Sequence, residues 1–194
     1  MAPKQGLIEK PISALPRIHR LITSHDENSG QAIIHSFEPG LWQPMRNNTV
    51  ALDLVYTTSE FPVQMNNDAD VEAHERVVEK GVGLVNPGGS VCRMVDFSPS
   101  NDPMMHRTKS LDYGVVLEGE IELILDSGEM KTLRRGDVAI QRGTMHAWRN
   151  PSTTQWARMM FVLLDSQALQ IGNYSLKESL APGQHEIQGS GNDK

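Results

Sequence analysis

The chain has 194 residues, 38% of them hydrophobic and a further 16 glycine, which is enough to bury one core and too few to favour two full domains. A formal charge of -6 opposes a phosphate backbone. The short basic pair Arg134 and Arg135 does not reverse that field, so nucleic acid is not an expected partner.

The first 26 residues carry Lys4, Glu9, Lys10 and three prolines. They lack the unbroken apolar run of a signal peptide or membrane span, so no membrane partner and a cytoplasmic location are expected. The one cysteine, Cys92, excludes an intramolecular disulfide. It has no neighbouring His or Asp to activate it beyond the strand-like "SVCRMVDF", so it reads as a buried strand residue, not a nucleophile.

In chain order, residues 1–30 read as an extended arm ending in a hairpin-type connection at the polar turn "SHDENSG", and residues 31–175 read as one domain. "QAIIHSF" reads as a strand, as does "VALDLVYTTSEFPV", which stops at Pro62. "DADVEAHERVVEK" predicts a short helix with Asp68 or Asp70 as its N-cap.

After the turn signal "NPGG", strand-like runs recur with glycine breaks: "SVCRMVDF", "SLDYGVVLEG", "EIELILD", "MKTL", "GDVAIQ", "HAWRN" and "ARMMFVLLD". No crossover helix fits between them, so the fold class is all-β, an antiparallel barrel or sandwich with few short helices. The tail, 176–194, loses apolar residues after Leu180, and its last ten or so residues are expected to be disordered.

Strand parity then selects side chains. His106 and Thr108 share one face, and Asp112 shares a face with Gly114 and Val116, opposite Tyr113. A carboxylate on such a face is paired, protonated or metal-bound if buried. Further on, His146 follows a Gly-Thr turn, with Trp148 and Asn150 on its side.

His106, Asp112 and His146 would supply two imidazoles and a carboxylate. This ligand set suits non-haem Fe(II) with open positions and is acceptable to Zn, Mn or Ni. The alternative is a polar hydrogen-bond network inside a barrel.

Arg93 and Arg158 interrupt apolar strands. Each needs a carboxylate, either Asp112 or a substrate acid, unless it lies on the exterior or at a dimer interface. Tyr113 and Trp148 are candidates to line a substrate pocket, and Gln141 to hydrogen-bond into it; core packing and a surface amide are the plainer readings. Met104, Met105, Met159 and Met160 read as adaptable core filling.

Residues 81–165 resemble the barrel of the cupin superfamily. Its first motif runs Gly, His-x-His, Glu, Gly. "HRTKSLDYGVVLEG" supplies His106, Thr108 at the second histidine, Asp112 at the glutamate and Gly119 seven residues on. The second motif, G-x5-P-x-G-x2-H-x3-N, is met by Gly136, Gly143, His146 and Asn150, one residue short and with Arg142 near the proline position.

The wording is most similar to a single-domain cupin group common in fungi, some members of which sit in polyketide pathways and are described as cupin-domain oxidoreductases. The resemblance implies a homodimer and a metal-dependent enzyme on a small, polyketide-like or carboxylate or carbonyl substrate, with oxidoreductase chemistry ahead of a decarboxylase, dehydratase or isomerase. A metal-free cupin that binds a ligand, or moves protons with Asp112 and His146, stays open.

Two departures from the motif matter. A neutral threonine is a poor ligand for a divalent ion, so Thr108 is left to orient water or substrate or simply to build the strand. Asp112 is one methylene shorter than glutamate.

Overall fold

The computed structural model describes residues 6–180 and 186–192. Among these, a hairpin of β1 (His19–His25) and β2 (Ala32–Pro39) precedes β3 (Trp42–Met45), β4 (Val50–Thr58) and the helix α1 (Ala69–Lys80). The remaining strands are β5 (Ser90–Phe97), β6 (Ser110–Glu118), β7 (Glu120–Leu125), β8 (Met130–Arg134), β9 (Val138–Arg142), β10 (His146–Arg149), β11 (Ala157–Asp165), β12 (Leu169–Ile171) and β13 (Tyr174–Leu176).

A six-stranded sheet, ordered β3-β4-β5-β11-β6-β9, faces a three-stranded sheet, β10-β7-β8, and the paired strands are antiparallel. The all-β reading therefore holds. Among the described residues no helix is long and apolar enough to cross a membrane.

The strand sequences build this by alternation. On β5, Val91, Arg93, Val95 and Phe97 point inward. On β11, Ala157, Met159, Phe161 and Leu163 do so, and on β6 Ser110, Asp112, Gly114 and Val116. These faces meet Ile121 and Trp148 of the smaller sheet in one apolar core. One residue joins β6 to β7, and Gly119 takes it at φ +76°, a conformation that favours glycine.

Three expectations change. Residues 19–25, inside the expected arm, form β1, because Asp26 accepts from the Ser29 amide (2.8 Å) and hydroxyl (2.7 Å) and closes a hairpin. Upstream, Ile8 pairs with Trp42 through two backbone bonds of 2.8 and 2.9 Å, and the Ser13 hydroxyl donates to Asp96. The segment is thus fastened to the sheet.

Asp68 does precede α1, yet its carboxylate makes no cap. It accepts from Ser24 Oγ at 2.5 Å. In the tail, residues 186–192 lie against the barrel. Ser190 Oγ accepts from Val85 N at 3.0 Å, and Asn192 Nδ2 donates to Asp165 Oδ1 at 2.7 Å. Residues 181–185 and 193–194 of that expected disordered tail lie outside the described residues.

Candidate functional site

His106 and His146 are 40 positions apart in sequence but meet in space. An antiparallel bridge joins them, each amide donating to the other's carbonyl at 2.8 Å, and their rings stand 4.4 Å apart. Each Nδ1 lies 3.0 Å from a carbonyl two residues back, Met104 O for His106 and Thr144 O for His146.

A carbonyl only accepts, so each Nδ1 carries the proton and each Nε2 keeps its lone pair. Burial lowers both pKa values. His146 falls to about 3 with the neighbouring His106 as a second cause, while the Met104 carbonyl and the charge of Glu178 partly restore His106. Both rings are therefore neutral near pH 7.

Gly143, at φ +60°, turns the chain ahead of His146. Gln141 is not a pocket residue: its Nε2 donates to Thr144 O at 3.3 Å and to the Thr144 hydroxyl, holding the carbonyl that orients His146. Trp148 is in place, its ring edge-on to His146 at 5.4 Å and tilted against Phe161 at 5.4 Å.

Asp112 points into the same cavity. Ser110 Oγ donates to Oδ1 at 2.5 Å and Thr108 Oγ1 to Oδ2 at 3.3 Å. Burial outweighs these bonds and the more distant charge of Arg93, and raises its carboxyl to about 6. Thr108, 1% exposed, thus spends its hydroxyl on Asp112.

The three expected ligands line one cavity. Among the described residues no three His, Cys, Asp or Glu side chains gather closely enough to hold a metal ion. Asp112 is held by its two hydroxyl partners, Ser110 and Thr108. Two neutral imidazoles with free Nε2 lone pairs are a donor set that suits a divalent ion.

The cavity, of about 100 Å³, is lined by both histidines, Asp112, Arg93, Trp148 and a largely apolar wall. Tyr113 and Arg158 are not in it. Tyr113 is 41% exposed on the outer face of β6, as its parity with Asp112 demands. Arg158 points to the outer face of β11, where Nε and Nη2 bond Asp96 at 2.5 and 2.7 Å and Nη1 bonds Pro16 O at 2.8 Å.

Cys92 shares the outward parity and is half-buried, with burial raising its thiol pKa. Sequence reasoning missed Met45, Val50, Leu52 and Ile187, which complete the wall from outside the motifs. The alternation in "VALDL" was the one available signal for two of them.

Comparison with known sequences adds context. The family described as "Cupin domain" matches residues 93–163. "Oryzines biosynthesis cluster protein J" of Aspergillus oryzae is 40% identical over 179 residues, covering 90% of this chain and 98% of that protein. "Cupin-domain-containing oxidoreductase virC" of Hypocrea virens is 41% identical over 171 residues (87% and 86%), and "Cupin-domain-containing oxidoreductase fogC" of Aspergillus ruber is 35% identical over 187 (95% and 90%).

Proposed function

This chain belongs to the cupin family, and on that premise we propose that it is an oxidoreductase-type enzyme of secondary metabolism, converting a small, largely apolar organic molecule in the cavity with His106 and His146 as ligands of a divalent Fe, Zn, Mn or Ni ion. One observation carries the metal: two buried, neutral imidazoles fixed by backbone carbonyls so that both lone pairs are available.

When bound, such an ion supplies Lewis acidity toward a substrate oxygen or one-electron chemistry. The chain's own residues do the rest. Trp148 and Phe161 seat the apolar body and exclude water. Asp112, its proton balanced near neutrality, is the carboxyl able to give or take one.

A second reading is favoured by Asp112, whose carboxyl is raised to about 6 in the same cavity as His146: a metal-free catalyst in which Asp112 and His146 move protons, as a lyase or isomerase needs. Elemental analysis separates the two. Protein purified and then loaded anaerobically with each of Fe(II), Zn, Mn and Ni is expected to hold one equivalent of one ion. Both His106→Ala and His146→Ala lose it, and Asp112→Asn keeps it. Absence of stoichiometric metal under every loading condition overturns the metal centre in favour of the proton-transfer reading.

A further inference from the structure

We infer that the cavity's substrate carries a carboxylate at one end of an apolar body, and that Arg93 is the residue that receives it. This rests on the cavity being the substrate site, and it names the chemistry that site selects.

Arg93 is 7% exposed and lies on the inward face of β5, directly across from Phe161 on β11. A guanidinium has five N–H donors. Two bonds leave Nη2, to Gly83 O at 2.8 Å and Leu84 O at 3.4 Å, and the buried Nε has no partner among the described residues.

Its partners are therefore carbonyls. Asp112 and Arg93 feel each other's charge, but no hydrogen bond joins them among the described residues, where the carboxylate accepts from Ser110 and Thr108 instead. Burial lowers Arg93 only to about 10, so it stays a cation near pH 7.

A buried cation with only carbonyls against it is costly unless an anion completes it. The other arginine of the lining, Arg46, is already engaged by Asp102, with bonds of 2.8 Å to its carbonyl and 3.3 Å to its carboxylate. That leaves Arg93 as the lining cation in need of an anion.

Around it, Leu84, Val95, Phe97, Trp148, Phe161 and Leu163 offer no charge. An anion with a polar body would leave that wall badly matched, and a neutral apolar ligand would leave the guanidinium hydrogen-bonded to carbonyls alone. An apolar acid satisfies both surfaces, through a charge-assisted hydrogen bond.

The test uses a matched pair of probes, cinnamate and cinnamyl alcohol, titrated calorimetrically into the full chain. Wild-type protein is expected to prefer the acid by about tenfold or more, the range of a hydrogen bond to a charged group. Arg93→Leu abolishes the preference while keeping the affinity for the alcohol. Arg46→Gln, at the other arginine, preserves it.

Arg93→Gln, which can still reach the Gly83 carbonyl, gives the same answer should the leucine variant fail to fold. Equal binding of acid and alcohol by wild type, binding of neither, or a preference that survives loss of the Arg93 charge overturns the inference. Metal content measured on the same samples keeps the two claims apart: an acid preference in protein that takes up no metal under any loading condition sinks the metal centre alone, and bound metal without acid preference sinks this inference alone.

Discussion

The two faces of the six-stranded sheet each bury an arginine, and they treat it in opposite ways. On the outer face Arg158, 3% exposed, is saturated: Asp96 takes it bidentately, Pro16 O takes a third bond, and the Trp42 ring lies 4.8 Å from its guanidinium carbon. On the inner face Arg93 has two carbonyls and an unpartnered Nε. The outer network contains its own counter-charge and so serves the structure. The inner set has no hydrogen-bonded counter-charge among the described residues, only the charge of Asp112 acting without a bond, which is the condition a ligand can meet.

The sharpest way to break this contrast is to remove the outer counter-charge. Asp96→Ala strands a buried guanidinium and is expected to cost about 3–5 kcal/mol, read from chemical denaturation. Asp96→Leu with Arg158→Met removes both charges and recovers most of that loss. A double variant no better than Asp96→Ala would mean that the pair holds the arm by geometry rather than by charge.

Arg93→Leu is the inner counterpart. It leaves the Gly83 and Leu84 carbonyls without their donor but also removes an uncompensated buried cation. The net cost is expected at no more than about 2 kcal/mol in the same denaturation experiment. A loss as large as that of Asp96→Ala would show that Arg93 is a structural element after all.

How far these roles could be read beforehand follows from the same parity. Alternation along "SLDYGVV" correctly sends Asp112 and Val116 inward and Tyr113 outward, so the pocket role considered for Tyr113 conflicted with its own strand pattern. Alternation in "SVCRMVDF" likewise separates Arg93 from Asp96. Which arginine faces the cavity was hidden, because the register that sets Arg158 beside Asp96 joins strands some 60 residues apart.

Motif spacing located His106, Asp112 and His146, but the Ser110 and Thr108 hydroxyls that hold Asp112 are contacts a one-dimensional pattern does not report. The polar tail read as disorder because its composition buries little. Its order comes from side-chain bonds such as Asn192 to Asp165.

A third buried polar group, under α1, extends the comparison to pH. His74 is 3% exposed. Its Nδ1 faces the Thr57 amide and hydroxyl at 3.2 and 3.0 Å, and its Nε2 faces the Arg20 guanidinium at 3.3 Å. The arginine and the Thr57 amide only donate, so a doubly protonated ring would turn an N–H against each of them. Burial, then Arg20, lowers its pKa to about 4 against the opposing pull of Asp70.

The folded pKa lies below the unfolded value near 6.5, so the His74 contribution is complete above pH 6.5 and is lost as pH falls toward 4. After discounting for solvent screening it is on the order of 1 kcal/mol. Asp53, raised to about 6 mainly by burial, acts in the opposite direction over part of this range. Taking the difference between wild type and His74→Gln at each pH cancels it. A difference that does not change between pH 7 and pH 4.5 would contradict the neutral imidazole.

The smallest effect is expected where neither face has anything to satisfy. Tyr113 stands beside Ile140 across the β6–β9 pair, both side chains exposed, with Asp112 on the opposite side of the strand. Replacing it with serine removes exposed ring area and no buried hydrogen bond, so thermal and chemical stability should move by less than about 0.5 kcal/mol. Cinnamate affinity should stay at the wild-type value. A Tyr113→Ser protein that keeps its stability but loses the acid preference would place the binding surface outside the barrel, and with it the assignment of Arg93 as the receiving group would fail.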